Sequence, residues 1–281
     1  MNKLPYEIAM VKEDCTYTYT MDAFNRRLRV DDYYGDIASI IKHVTEQSMG
    51  GQYGKLIFKA RREDFDALLA YGFVLEAKVD KYFLGSDLYF FCKYFTSERR
   101  SSVFWGEEDE VIDAIFSSSG KRRTASLPSD YILQVCEEND AEDLAKLYDS
   151  VFKIYPVPLN DPDYIRKSMR AGNIFLCFKH DGAIVSAVCG DVNEMYRNAE
   201  ITDCATTPEY RQFGLVQFLL AELERELYNR KIFCLYSIAR ARSYGMNAAF
   251  HRLQYKYRGR LANNCNIYED IEDMNVWVKT L

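Results

Sequence analysis

The segment ITDCATTPEYRQFGLVQFLL (201–220) changes its hydrophobic pattern part of the way along. β-Branched and apolar residues at its start predict a strand, and the apolar spacing after Gly214 predicts an amphipathic helix over 213–230. Pro208 and Gly214 mark the turn between them. The first amide groups of a helix have no partner within the helix, and the helix dipole adds partial positive charge there. The turn therefore places hydrogen-bond donors directly after a strand.

This turn has the composition of an anion site. Arg211 adds a full positive charge, and Gly214 permits a close approach between backbone and ligand. The residues placed to bind a phosphate or pyrophosphate are Arg211, Gln212, Phe213, Gly214, Leu215 and Val216. An ordinary helix start without a ligand has the same pattern, so both interpretations stay open. Neither G-x-x-x-x-G-K-[ST] nor G-x-G-x-x-G occurs in the chain, so a P-loop or dinucleotide-binding fold has no support.

Length and composition limit the class of protein. A chain of 281 residues with 48% hydrophobic residues is long enough for two domains with separate cores. The net charge of −6 and the pI near 5.3 argue against nucleic-acid binding. No apolar run is long enough to cross a membrane. Eight cysteines without a C-x-x-C pair, and a start without an apolar signal core, predict a cytoplasmic protein without a metal site.

Two domains are predicted on either side of a connector. The segment SSSGKRRTASLPSD (117–130) is rich in Ser, Gly and basic residues, as connectors between domains are. Residues 1–116 are predicted to form a smaller α/β domain, with a strand at 53–61, a helix at 62–73 and a hairpin that turns at 84–87.

Residues 131–281 predict an α/β domain in which helices flank a mixed sheet. The expected order is a strand, two helices, a three-stranded meander, the long helix, a strand, a short helix and a strand pair. The strands before and after the long helix should run parallel, because a helical crossover returns the chain in the same direction.

RQFGLV (211–216) resembles the Q/R-x-x-G-x-G/A signature of the Gcn5-related N-acetyltransferase (GNAT) superfamily. Val216 departs from the pattern, since Gly or Ala is usual there. The order of elements in 131–281 fits the GNAT fold, and MNAAFHRLQYKYRG (246–259) resembles its Asn-started short helix. YPVP with DPDY (155–164), SIARARSYGMN (237–247) and RLANNCNIYEDIEDMNVW (260–277) resemble one branch, the β-lysine N6-acetyltransferases.

The resemblance implies transfer of an acetyl group from acetyl-CoA to the distal amine of a small diamino acid, β-lysine, which gives an osmolyte. Acetylation of a protein or peptide amine is an alternative, and so is a non-catalytic CoA-binding sensor module. DALLAYGFVLEAKVDKYFLGSDLYFFCKYF (66–95) resembles the second half of a GNAT fold, without the signature before it, which implies that residues 1–116 are a degenerate GNAT-like half. The charge and composition fit a monomer and a homodimer equally well.

Acetyl transfer needs a neutral amine, so a base must remove a proton from the ammonium. Glu200 lies eleven residues before Arg211 and resembles the Glu that is often this base, although a solvated carboxylate at a strand start has the same pattern. Asp203 lies among apolar neighbours, where a buried carboxylate needs a partner. That partner is either an ammonium of the substrate or the backbone.

The free strand edge at Ala205 and Thr206 is expected to pair with the pantetheine arm of acetyl-CoA. Asn247 resembles the GNAT Asn that contacts this arm, and it also suits a helix cap. Phe250 stands where many GNAT enzymes have a Tyr acid, which leaves an unprotonated or water-protonated thiolate, or His251, for the departing group.

The substrate pocket is expected to include residues from three segments. Tyr155 lies in the loop stiffened by Pro156 and Pro158, and Arg240 suits a carboxylate. Three amides of the NNCN segment complete the prediction, and they either contact polar ends of the substrate or form a turn. These amides are Asn263, Asn264 and Asn266.

Overall fold

The computed structural model describes residues 4–118, 130–267 and 270–281. The strands of these residues form a single sheet of thirteen strands, in the order β1-β2-β3-β4-β6-β5-β12-β13-β11-β10-β9-β8-β7. The strands are β1 (Tyr6–Val11), β2 (Cys15–Asp22), β3 (Arg27–Gly35), β4 (Lys55–Ala60), β5 (Val74–Phe83), β6 (Ser86–Tyr94), β7 (Ile132–Val135), β8 (Ile174–His180), β9 (Ala183–Asn193), β10 (Asn198–Thr206), β11 (Cys234–Arg240), β12 (Lys256–Ile267) and β13 (Asp270–Thr280).

The helices are α1 (Ile37–Gly50), α2 (Phe65–Ala70), α3 (Ser97–Arg100), α4 (Trp105–Ser117), α5 (Ala141–Val151), α6 (Pro162–Arg170), α7 (Leu215–Asn229) and α8 (Tyr244–Arg252). Alternate residues of β8 contact different cores, as the strand period requires. Leu176 and Phe178 pack with α7 and α8, whereas Phe175 and Cys177 pack with α5. The helices therefore cover both faces of the second half of the sheet. No helix of the described residues is long and apolar enough to span a membrane.

The two halves of the sheet repeat one order of elements. In the first half, the meander β1-β2-β3 leads through α1 to β4, which is parallel to β3, and then through α2 to the hairpin β5-β6. In the second half, β8-β9-β10 leads through α7 to β11, which is parallel to β10, and then through α8 to β12-β13. The sheet order of the halves is mirrored about the β5-β12 contact. The strand β7 and the helices α5 and α6 are additional in the second half.

The halves meet where β12 pairs with β5, through Gly259 and Ala77. Gly259 has φ +124°, and a Cβ atom there would lie 2.2 Å from the carbonyl oxygen of Glu76. Only glycine permits this approach of the two backbones. A shared apolar core closes the joint, because Val79 and Phe90 of the first half pack with residues of β11, β12 and β13.

The structure confirms the elements predicted for 131–281, including the parallel pairing of β10 and β11. The strand at 53–61, the helix at 62–73 and the hairpin at 84–87 also correspond to β4, α2 and β5-β6. The sequence interpretation assigned no elements to β1, β2, β3 or α1. Most of the predicted connector, residues 119–129, lies outside the described residues. The helix α4, which the predicted boundary at 116 places with the first domain, packs through Ile112 and Ile115 into the core of the second half.

Candidate active site

The strands β10 and β11 separate part of the way along and form a fork. They pair from Asn198 with Cys234 to Glu200 with Tyr236. Beyond this point β10 stays paired with β9 through Ala205 and Thr206, and β11 stays paired with β13. Within the described residues, the facing edges of 201–206 and 237–240 have no strand between them. Such an edge can offer backbone groups to an extended ligand. At Ala205 and Thr206, where this role was predicted, the carbonyl groups accept hydrogen bonds from Ser186 at 3.2 Å and Arg211 at 3.1 Å.

A bulge in β10 brings two carboxylates to one face of the sheet. Side chains alternate along a regular strand, so residues three apart would lie on opposite faces. The register of β10 with β9 shifts between Thr202 and Ala205, and Asp203 has φ +52°. An extra residue at a bulge resets the alternation. Asp203 therefore shares a face with Glu200, on the side that α5 and the first half cover.

The turn after β10 is open at the start of α7. A 3-10 turn over Pro208–Phe213 leads to Gly214, which has φ +66°, and no side chain caps the helix. No atom lies within 4 Å of the position of a Gly214 Cβ, so the space in front of the turn is free. Arg211 is exposed, and its Nε atom donates to the carbonyl oxygen of Thr206 at 3.1 Å. The amide of Gly214 donates to the carbonyl of Arg211 at 3.3 Å, but the start of α7 has no side-chain cap. An uncapped helix start, a cation and open space fit a pyrophosphate.

Val216 does not obstruct this turn. Its side chain is half-buried and packs against the core between the sheet and α7. Gln212 and Phe213 are exposed, and Leu215 is buried in that core. The departure from Gly or Ala at this position is therefore accommodated by the apolar core.

The corresponding turn of the first half is closed. The helix α1 follows β3 as α7 follows β10, but Asp36 caps it. The carboxylate of Asp36 accepts hydrogen bonds from the amides of Ala38 and Ser39, at 3.4 and 2.9 Å. An anion of the protein itself fills the position that an anionic ligand would take.

Glu200 lies at the point where the fork opens and has the electrostatics of a base near neutral pH. Burial raises the pKa of its carboxyl to about 7, and the negative charge of Asp191 on β9 adds to the increase. Lys59 and Arg29, both from the first half, lower the pKa, as does a hydrogen bond from Tyr236. A carboxyl with a pKa near the working pH can exchange protons efficiently.

Asp203 is buried and hydrogen-bonded. Its Oδ1 atom accepts from the hydroxyl groups of Tyr155 at 2.8 Å and Thr202 at 3.2 Å. Burial raises its pKa to about 6, although the hydrogen bonds from Tyr155 and Thr202 oppose the increase and Asp191 adds to it. The partner found for this carboxylate is a side chain, and not the backbone.

The loop that carries Tyr155 forms the wall of a cavity of about 350 Å³. The lining comes from 148–160 and from Leu4 and Phe24 of the first half. Pro156 and Pro158 belong to this lining, which agrees with the prediction that the loop is a pocket wall.

Several predicted ligand-binding residues are bonded to other residues of the protein. Arg240 forms a two-pronged ion pair with Glu272, at 2.8 and 2.6 Å, so a carboxylate of the protein takes the place of the substrate's. The amide nitrogen of Asn263 donates to the carbonyl oxygen of Arg99 at 3.1 Å. Asn266 donates to the carbonyl of Phe24 at 2.6 Å.

Asn264 accepts from the ammonium of Lys55 at 3.5 Å through its side chain, and its carbonyl accepts from Arg27 at 2.9 Å. All three amides of the NNCN segment thus join the second half to the first. They neither face a free pocket nor form a simple turn, because β12 continues through them to Ile267.

Asn247 is fully buried and lies inside α8, which begins at Tyr244. Its Nδ2 atom donates to the carbonyls of Arg240 and Ser243, and its Oδ1 atom accepts from Asn275 and Trp277. An amide has two N–H donors and two lone pairs, so every polar site of the side chain is used. The predicted contact with the cofactor arm, and the predicted capping role, are therefore not available to this side chain.

The position of the usual Tyr acid is apolar. Phe250 is fully buried in the core with Tyr255. His251 is half-buried, and its ring lies 5.4 Å from that of Phe116 and 6.3 Å from that of Trp277. No cluster of three potential metal-binding side chains occurs in 4–118, 130–267 or 270–281.

Sequence reasoning missed four residues around Glu200. Asp191 faces it in the β9-β10 register, and the predicted meander contained enough information to place it there. Tyr236 pairs with it across the start of the fork. Arg29 and Lys59 come from the first half, and no motif in their strands indicates the contact.

Comparisons with known proteins agree with this geometry. Residues 144–253 match the model of the acetyltransferase (GNAT) family. The chain is 36% identical over 260 residues to N-acetyltransferase YodP of Bacillus subtilis (strain 168), which covers 92% of this chain and 94% of the relative. It is 32% identical over 255 residues to a β-lysine N(6)-acetyltransferase of Methanococcus maripaludis, with 91% and 93% covered.

A β-lysine N(6)-acetyltransferase of Methanosarcina mazei is 32% identical over 270 residues, which cover 89% of this chain and 100% of the relative. The chain belongs to the GNAT family of N-acetyltransferases. It is an acetyl-CoA-dependent N-acetyltransferase, and within the family it is similar along nearly its whole length to β-lysine N6-acetyltransferases.

Proposed function

We propose that this enzyme transfers the acetyl group of acetyl-CoA to the distal amine of β-lysine, and so forms N6-acetyl-β-lysine. One observation carries the proposal. A carboxyl with a pKa near 7, Glu200, stands at the opening of the strand fork and faces residues of both halves. The names of two relatives that are similar along nearly the whole chain supply the substrate.

In this proposal the residues of the fork have separate roles in proton transfer and in cofactor binding. Glu200 accepts the proton of the substrate ammonium, directly or through a water molecule, so that the amine lone pair becomes available. Acetyl-CoA supplies the acetyl group as a thioester. The open edges at Ala205 and Thr206 align its extended arm, and the amides of 212–216 with Arg211 hold its pyrophosphate.

Asp203 has a role in binding. Its carboxylate lies on the same face as Glu200 and is held by Tyr155. With a pKa of about 6 it is ionised at neutral pH and attracts a second ammonium group of the diamino acid. Tyr155 orients Asp203 from the wall of the cavity.

The first half, in this proposal, is a degenerate copy of the acetyltransferase fold. The repeated order of elements and the closed turn at Asp36 support that interpretation. Its contribution is a wall around a small pocket, which favours a free amino acid over a protein or peptide amine. An osmolyte product and a cytoplasmic enzyme, as a monomer or a homodimer, complete the proposal, with no nucleic-acid or membrane partner.

The test is an assay of CoA release from acetyl-CoA with β-lysine, lysine, ornithine and putrescine. We expect β-lysine to give the highest kcat/KM. Glu200→Gln should lower kcat by about 10²- to 10⁴-fold, because general-base catalysis contributes that much. Glu194→Gln, in the exposed turn before β10, is the matched control and should behave as wild type. If none of the amines stimulates CoA release, the proposal is wrong.

A further inference from the structure

A cluster of charged side chains lies on the first half of the sheet. Asp31 on β3 is 2.5 Å from the Nε atom of Arg29 and 3.1 Å from the ammonium of Lys59 on β4. Its other oxygen accepts a hydrogen bond from Thr20 at 2.6 Å. Two cations therefore share one carboxylate, and the cluster carries a surplus positive charge.

This cluster faces Glu200. The ammonium of Lys59 lies 5.9 Å from the ring centre of Tyr82, and that ring lies 5.7 Å from the ring of Tyr236, the partner of Glu200 across the fork. Arg29 is the third residue in the pairing of β3 with β4, as Glu200 is the third in the pairing of β10 with β11. β3 and β4 also separate, after Val30 and Phe58, and form a second fork. The two forks thus present opposite charges to each other.

The same proximity affects the pKa values of Glu200 and Arg29. Lys59 and Arg29 both lower the pKa of Glu200, and the negative charge of Glu200 raises the pKa of Arg29. The nearby charges act through protein surroundings, where screening by water is weak.

The cluster is accessible and has free hydrogen-bond donors. The side chains remain 32% exposed for Arg29 and 14% exposed for Asp31 and Lys59. Arg29 uses its Nε atom for Asp31, and in the described part of the chain neither of its Nη nitrogens makes a hydrogen bond. A guanidinium with free Nη groups is suited to bind a carboxylate with two parallel hydrogen bonds.

We propose that Arg29, Lys59 and Asp31 form the binding site for the amino-acid head of the substrate. Arg29 and Lys59 bind its carboxylate, and Asp31 binds the ammonium next to that carboxylate. The head is thereby held on the first half while the distal amine reaches Glu200 on the second. This inference rests on the proposed function, because it assigns the residues that select the substrate.

The site explains what the second set of strands contributes to the enzyme. A simple diamine has no carboxylate for the surplus positive charge, and an ω-amino acid has no ammonium for Asp31. Each analogue therefore lacks one of the two charged contacts that the cluster offers to the head, and charge-assisted hydrogen bonds are among the strong ones. Selection for a diamino acid over both analogues follows.

The test compares three substrates that differ only at the head: β-lysine, 1,4-diaminopentane, which lacks the carboxylate, and 6-aminohexanoate, which lacks the ammonium. Wild type should prefer β-lysine. Arg29→Gln should lower kcat/KM for β-lysine by about 10- to 100-fold more than for 1,4-diaminopentane, as expected for hydrogen bonds to a charged group. A smaller loss common to all three substrates is expected near neutral pH, because Arg29 also lowers the pKa of Glu200. Asp31→Asn should remove the preference for β-lysine over 6-aminohexanoate.

Arg62→Gln is the control, since Arg62 is exposed in the turn after β4, beside the ring of Phe65. Arg29→Lys keeps the charge without the planar fork and should give a smaller loss for β-lysine, so it serves if Arg29→Gln fails to fold. A loss of kcat/KM that is equal for all three substrates would show that the cluster is only a structural ion pair, with the proposed function intact. Absence of β-lysine acetylation by wild type would overturn both proposals.

Discussion

The Glu200 carboxyl lies between charges of opposite sign. Asp191 on the neighbouring strand raises its pKa, whereas Arg29 and Lys59 on the first half lower it. Burial, which is the largest influence, moves the pKa of Glu200 to about 7. A base must be ionised to accept a proton, so the active fraction of the enzyme grows as the pH increases through this value.

We therefore expect kcat for β-lysine to increase with pH, with an inflection near 7 and a plateau above it. Asp191→Asn removes a negative neighbour and should move the inflection to lower pH, because ionisation of Glu200 becomes easier. We would measure kcat at saturating concentrations of both substrates from about pH 5 to about pH 9, a range that extends to both sides of the expected inflection. Glu200→Gln should have a low kcat without this inflection. An unchanged inflection in Glu200→Gln would assign the titration to another group.

At the scale of elements, the joint between β5 and β12 depends on a single glycine. A side chain at Gly259 would collide with the carbonyl of Glu76, and its φ of +124° is unfavourable for any other residue. The amides of Asn263, Asn264 and Asn266 lie further along the same strand and bond to the first half.

Gly259→Ala should lower the free energy of unfolding by at least about 1–3 kcal/mol, the cost of a strained backbone conformation. Urea denaturation followed by circular dichroism measures this change. Gly106→Ala, in the exposed first turns of α4 where no atom lies within 4 Å of a new Cβ, is the matched control. It should be neutral or slightly stabilising, because Ala favours helices over Gly. Equal stability of the two variants would contradict the role of Gly259.

How far the sequence predicts these elements depends on the range of the interactions. Local patterns were sufficient for β10, the turn at Gly214 and α7, since a β-branched run, a Pro, a Gly and a helical stripe all lie within 201–230. Local patterns were not sufficient for Arg240 or Asn247. Their partners, Glu272 and Trp277, come from β13. The pairing of β11 with β13 brings Arg240 to Glu272, and the packing of α8 in the core with Trp277 brings Asn247 to that ring.

The bulge at Asp203 is a second limit. A regular strand would place Asp203 and Glu200 on opposite faces of the sheet. No residue in ITDCAT predicts the positive φ of Asp203, which accompanies the bulge that brings both carboxylates to one face. Arg29 and Lys59 are a third limit, because they approach Glu200 only when the two halves assemble. For this reason the sequence indicated the candidate residues of β10 and of the turn after it, but not those that the first half contributes.

At the scale of the whole molecule, the two halves share a core. Tyr236, Met274 and Val276 of the second half are buried together with Val79 and Phe90 of the first half. The buried cation Lys55 of the first half also donates to the carbonyl of Ala262 at 2.7 Å. This shared core is complete only when both halves are present, although each half also has a core of its own.

We therefore expect residues 131–281, produced alone, to aggregate, even though they contain the whole matched family segment and Glu200. The fragment would expose the apolar face of β11, β12 and β13 and lose the packing of α4, and exposed apolar faces of this kind associate. Size-exclusion chromatography and the CoA-release assay would measure the outcome. A monomeric fragment with wild-type activity on β-lysine would contradict this expectation.

Asp36 has a consequence for the stoichiometry of the enzyme. Duplicated folds commonly suggest duplicated active centres, yet the carboxylate of Asp36 already occupies the amides at the start of α1. A second nucleotide would meet a negative charge in place of free donors. Each chain should then saturate at one equivalent of acetyl-CoA. The first half, which needs no cofactor site in this proposal, is free to evolve as a binding surface for the amine substrate.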